Sequence, residues 1–242
     1  MQRFKRKGAL TRRWCRGRFW AAAAVLALLN TGRPVIGADE EEGPDPNDVI
    51  LVEEDWELVV NEPDDQLETP QFHTVMSPFG HLDSYYAQVL WNYREVEDEF
   101  APGGLQLQSW NGENRLNLRS INGRLLSTEA ETITWTQVLG TNGYELAFAI
   151  DNGHSETWGE FGRDIRITQN ANLENLNAYD TAVSVQNSWV TYGSNRVTSL
   201  VIKQVRKYGA YGLISVDTVP KVVYEFADTQ DSGEDVAPLE DY

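Results

Sequence analysis

The chain has 242 residues, 41% of them hydrophobic, enough for one well-packed domain, with 37 Asp+Glu against 20 Lys+Arg and a net charge of −17. Residues 1–38 hold nine of the 20 basic residues and no acidic one, so the remainder sets 11 basic against 37 acidic residues, a net charge of −26. A field of that sign repels phosphate backbones and anionic headgroups, which argues against nucleic acid and anionic membrane surfaces as partners.

In chain order, a basic stretch from Arg3 to Arg18 precedes an apolar run from Phe19 to Leu29, too short for an ordinary membrane span and proportioned like the core of a signal peptide. Gly37 and Ala38 then stand just before Asp39, so residues 1–38 are expected to be a signal peptide cleaved near Ala38. The mature protein would be periplasmic or secreted, with no membrane insertion after cleavage; an uncleaved anchor is the competing reading. Arg12-Arg13 loosely resembles a twin-arginine signal, but a basic leader produces paired arginines readily, and the export route stays open. Cys15 is the only cysteine and lies in the leader, so the mature chain would have no disulfide, thiol catalysis or cysteine metal site.

Residues 39–48 read as an acidic linker and 228–242 as an acidic disordered tail, because neither has the apolar content to offset the entropy of ordering. Between them, over 49–227, helical periodicity is nearly absent and alternating runs broken by Gly, Asn, Asp and Pro recur. That rhythm predicts an all-β fold, a two-sheet antiparallel β-sandwich. Over 50–60, Ile50, Val52, Trp56, Leu58 and Val60 share one strand face, with Glu53, Asp55 and Glu57 opposite. Over 131–150, two alternating runs flank Asn142-Gly143, residues that tolerate the positive φ of a hairpin turn, and Leu146, Phe148 and Ile150 face inward on the return. Further strands are predicted over 85–93, 104–110, 115–119, 164–168, 182–192, 197–208, 211–216 and 220–226, while 173–179 is open between a helical turn and a loop. Trp56, Trp91, Trp135 and Trp189 fall on apolar faces and are expected in the core.

The arrangement Ile133-Thr134-Trp135-Thr136, the Asn142-Gly143 turn, then Leu146 to Gly153 resembles the central hairpin of concanavalin-A-like, laminin-G-type jelly rolls. The stretch from Thr157 to Val201 is similar to uncharacterised exported proteins of planctomycete-type bacteria. The first resemblance implies a jelly roll, with sugar binding as one use of its concave sheet; the second implies no activity.

Glu95-Val96-Glu97-Asp98-Glu99 would put three carboxylates on one strand face, and paired carboxylates serve retaining glycosidases as nucleophile and acid/base. The run resembles the catalytic strand of laminarinase-like and agarase-like enzymes, yet Glu97 stands where that family has Asp and Pro102-Gly103-Gly104 follows closely. A charged loop is the preferred reading, and no catalytic residue is assigned. Trp110 is different, because it shares its strand face with Gln106 and Gln108. Neighbouring runs offer Tyr86, Gln88 and Asn92, and Arg115, Asn117 and Arg119. A flat indole among amides and guanidinium groups can stack on a sugar ring and bond its hydroxyls. The expected ligand-binding set is therefore Trp110, Gln106, Gln108, Gln88, Asn92, Tyr86, Asn117 and Arg119, with an exposed or loop-covered Trp at a strand end as the plain alternative. Asp151, Asn152 and Glu156 offer oxygen ligands for Ca²⁺ around Gly153, or simply a turn; no other cofactor is expected. His73, His81 and His154 lack zinc spacing and read as packing or surface residues. The function expected is a non-enzymatic binding domain for a glycan or surface polymer. The competing reading is a structural or interaction protein of the cell envelope recognised by an envelope protein; a glycosidase-like hydrolase is third.

Overall fold

Two-residue alternation becomes two antiparallel sheets because each strand has one side to hide and one side to wet. The computed structural model describes residues 45–62, 70–96, 99–121 and 130–226, all within the second of the chain's two units, Glu40–Tyr242. The predicted leader, most of the linker and the predicted tail lie outside the described residues. In chain order the strands are β1 Leu51–Val60, β2 Gln71–Met76, β3 Tyr85–Val96, β4 Glu99–Asn111, β5 Asn114–Ile121, β6 Glu131–Thr141, β7 Glu145–Ser155, β8 Gly159–Phe161 and β9 Ile165–Asn170. Among the described residues one α-helix, α1 Thr181–Asn187, precedes β10 Trp189–Tyr192, β11 Val197–Gly209, β12 Gly212–Asp217 and β13 Lys221–Glu225. An eight-stranded sheet runs β12-β11-β1-β6-β7-β8, with β13 beside β11 and β9 beside β7; a five-stranded sheet runs β10-β2-β3-β4-β5. All described pairings are antiparallel. The molecule is a two-sheet, jelly-roll-like sandwich.

Four rings join the sheets. Trp56 and Trp135 of the large sheet stack at 5.9 Å, Phe72 and Trp91 of the small one at 5.4 Å, and Trp91 meets Trp135 across the interior at 4.4 Å. All four are sealed from solvent, and each fully buried large side chain contributes roughly 1.5–3 kcal/mol of transfer free energy. The expected hairpin forms at Asn142-Gly143. Gly143 takes φ +90°, and the Asn142 carboxamide oxygen accepts from the backbone N–H groups of Tyr144 and Glu145 at 3.0 and 2.8 Å.

Two expectations are corrected, and the alternative of one catalytic strand over 95–99 is removed. The predicted strand over 182–192 divides into α1 and β10: Asp180 caps the helix by accepting from the Ala182 N–H at 2.9 Å, and the helix turns Val183 and Ser184 inward. Trp189, expected in the core, is 52% exposed on the edge strand β10. The acidic run at 95–99 is not one strand, because β3 ends at Val96, β4 begins at Glu99, and those two residues are paired. Glu95 and Glu99 thus belong to opposite arms of a hairpin, and Glu97 lies outside the described residues. Strand β2 gave no alternation to read, since all six of its residues are buried, and β8 is only three residues long.

Candidate functional site

The small sheet turns Ala87, Val89, Trp91, Leu105 and Leu107 into the core, so the intervening residues of β3 and β4 lie on the sheet's other face. There the register sets Tyr86 opposite Trp110, Gln88 opposite Gln108 and Leu90 opposite Gln106. The Tyr86 and Trp110 rings lie parallel within 3°, with centroids 6.1 Å apart. The Trp110 indole N–H donates to Gln108 Oε1 at 3.0 Å, and the Gln108 amide donates in turn to Gln106 Oε1. That chain fixes the plane of the indole but commits donors to the protein itself. Gln106 and Gln108 are buried, whereas Tyr86, Gln88 and Trp110 are only partly so. Burial pushes the Tyr86 phenol above its ordinary pKa, keeping it neutral.

The other residues expected on this surface are placed elsewhere. Asn92 is fully buried with φ +59°, at a register irregularity between Trp91 and Tyr93, and its carboxamide donates to the Pro70 carbonyl at 2.6 Å. On β5 a register shift between Ser109 and Trp110 sets Arg115 opposite Trp110, while Asn117 pairs with Ser109 and Arg119 with Leu107. The exposed Arg115 is thus the basic neighbour of the indole; the side chains of Asn117 and Arg119 lie outside the described residues. Asp151 and Asn152 sit on β7, and Glu156 follows its end. Asp151 Oδ1 accepts from the Asn152 N–H at 2.8 Å. Among the described residues no group of three or more His, Cys, Asp and Glu is placed to hold a metal ion.

Two further features are not legible from residue order. On the same outer face, beyond Leu90, the register continues to His73 of β2 and Trp189 of β10, with the two rings packed edge to face at 3.5 Å. In the interior, Glu54 points between the sheets at 0% exposure. Its Oε1 accepts from the Tyr179 and Ser184 hydroxyls, both at 2.6 Å, and its Oε2 from the Trp56 indole at 3.1 Å. The Gln137 side chain also bonds Glu54, and Gln137 Oε1 accepts from the Thr74 hydroxyl. Thr74 Oγ1 accepts from the Trp91 indole at 2.9 Å. Burial pushes the Glu54 carboxyl up to about 7, against the hydrogen bonds that favour its charged form. This network ties α1 and the Tyr179 loop to both sheets; every oxygen of the carboxyl faces protein, so it is read as an anchor.

No family model matches the chain, and no curated protein matches it. Among solved structures, the crystal structure of scytalido-glutamic peptidase with a peptide-based transition state analogue is similar at 8% identity, over 72% of this chain and 82% of that one, with a TM-score of 0.33. A likeness that weak carries no argument about activity. Among the described residues no helix is long and apolar enough to cross a membrane.

Proposed function

We propose that this protein is an exported, non-enzymatic binding domain that takes a glycan or a similar surface polymer on the outer face of its five-stranded sheet. The observation that carries the reading is the parallel pair of Tyr86 and Trp110, partly open to solvent and set beside Gln88 and Arg115. An indole held in plane by its own N–H bond presents a flat apolar surface to a pyranose ring without further loss of side-chain freedom. Gln88 and Arg115 supply polar groups at its margin. The signal-like leader and the likeness of the 133–153 hairpin to laminin-G-type jelly rolls point the same way, and on this reading the protein works in the periplasm or outside the cell.

On a glycan array, wild type is expected to bind a restricted set of neutral glycans, and Trp110→Ala to bind them at least about tenfold more weakly, the loss of one stacking contact. An array on which nothing binds, or on which Trp110→Ala performs like wild type, defeats the proposal.

A further inference from the structure

Among the described residues, seven of the ten large apolar side chains left exposed fall within Tyr211–Phe226, the free edge of the large sheet. β12 and β13 pair one after the other along one side of β11, whose other side belongs to β1, and no residue of β12 is buried. Val216 stands opposite Arg206 and Leu213 opposite Tyr208, and both of those partners reach Glu53 on the sheet's outer face. Val222 stands opposite Val201, which lies between the core residues Leu200 and Ile202 and so turns outward as well. Leu213, Val216 and Val222 therefore form one apolar stripe, roughly 25 Å long, on the outer face of the edge. The stripe is open, with Leu213 55% and Val222 52% exposed.

The edge is not built to accept a strand. Ile214 and Val223 are surplus residues in the pairing with β11, and Pro220 stands between β12 and β13; bulges and proline keep an edge from pairing through its backbone. The stripe suits side-chain packing against another folded surface, and charge selects that surface. Residues 197–226 hold Lys203, Arg206, Lys207 and Lys221 against Asp217 and Glu225, a formal net charge of +2, in a chain whose net charge is −17. The described spans 45–62 and 130–196 carry −7 and −5. Two copies of so acidic a chain repel wherever those spans meet, and least where this edge meets itself. A twofold axis lays the stripe antiparallel on its own copy, Leu213 of each against Val222 of the other, so one apolar patch serves both sides. We infer that the β12–β13 edge is a self-association surface through which two copies of this chain pack, outer face to outer face, as a twofold dimer. Tyr211–Phe226 supplies 16 residues, short of the roughly 20–30 a side of a standard interface. The dimer is therefore weak, with a dissociation constant on the order of 10 µM. The stripe lies on the large sheet and the Tyr86–Trp110 pair on the small one, so this inference and the glycan reading stand or fall separately; together they make the dimer bivalent for a polymer.

The test is sedimentation velocity on the full chain from about 1 to about 200 µM, a range that brackets that constant, for wild type, Leu213→Glu, Val222→Glu and Tyr144→Glu. Leu213→Glu and Val222→Glu should each weaken dimerisation at least about tenfold, because each puts like charges into the shared patch. Tyr144, 62% exposed at the turn after β6, lies away from the stripe, and Tyr144→Glu should associate as wild type does. Association through any other segment is common to all four chains and does not mimic that pattern. Raising salt from about 50 to about 500 mM should tighten the wild-type dimer several-fold, since screening relieves the repulsion between acidic copies and leaves the apolar contact intact. Both stripe positions are more than half exposed, so the thermal midpoints of their variants should match wild type, and either variant suffices if the other is unstable. A chain that stays monomeric across the range, a dimer that survives both stripe substitutions, or a dimer that loosens as salt rises overturns the inference.

Discussion

Glu54→Ala is expected to remove about 3–5 kcal/mol of folding stability, lowering the thermal midpoint by about 10 °C or more. The substitution strands the Tyr179 and Ser184 hydroxyls and the Trp56 indole N–H, which all donate to this one carboxyl in a sealed interior, and opens a cavity beside Trp56. Glu54→Gln probes the charge separately. With the native carboxyl titrating near 7 and the unfolded one near 4.5, the folded chain holds an extra proton between those values. Stability therefore falls as pH rises through that window and levels off above it. The difference in unfolding free energy between wild type and Glu54→Gln should accordingly move by about 3 kcal/mol from pH 4.5 to pH 8, in favour of the amide at the higher pH. Paired urea titrations across that range check it; a flat difference would mean that the carboxyl titrates no differently in the folded chain.

Arg206→Ala is the second large effect, expected to cost about 2–4 kcal/mol at neutral pH. On the outer face of the large sheet the Arg206 guanidinium bonds Glu53 Oε2 at 2.8 Å and both oxygens of Asp55. Burial alone would push the guanidinium pKa down, but the bonds from Asp55 and Glu53 outweigh it and hold it above its ordinary value. Side-chain exposures of 20% for Arg206 and 8% for Glu53 remove most of the solvent screening that makes surface pairs weak. Without the arginine, two carboxylates remain side by side on β1 in a chain already rich in negative charge. The triple variant Glu53→Gln, Asp55→Asn, Arg206→Met should recover most of the loss, because it removes the charges together with their partner. Chemical denaturation of the single and triple variants decides this, and an equal deficit in both would assign the effect to lost packing.

Strands with one wet side were legible: β1 reads directly from Val52, Trp56 and Leu58 against Glu53, Asp55 and Glu57, and the β6–β7 turn from Asn142-Gly143. Segments covered on both sides were not. β2 buries Gln71, His73 and Val75 as thoroughly as Phe72, Thr74 and Met76, so its sequence carries no alternation and the strand escaped notice. The stretch at 182–192 alternates as a strand would, but the Asp180 cap and the pull of Glu54 on Ser184 favour a helix. Tyr86, Gln88 and Trp110 were placed together correctly because plain alternation holds through them. Asn92 and the β5 residues moved because local irregularities intervene, and one residue gained or lost redirects every side chain beyond it.

The same bookkeeping decides the fate of the acidic stretch at the end of β7. Between Thr134 and Thr136 on β6 there is one residue, whereas their partners His154 and Asp151 on β7 are separated by two; Asn152, at φ +49°, adopts the left-handed turn this requires. Before it the even-numbered Leu146, Phe148 and Ile150 look inward; after it the odd-numbered Gly153 and Ser155 do, and His154 looks out. The inversion leaves Gly153 so close to Phe161 that a methyl group there would overlap the ring, and it delivers the Ser155 hydroxyl to Glu131 at 2.7 Å. Burial would push the Glu131 carboxyl up, but the donors of Ser155, Glu156 and Thr157 prevail and hold it below its ordinary range. One surplus residue thus acts as a gear change in the strand, spending an asparagine to convert a loop-like acidic sequence into a continuation of the sheet.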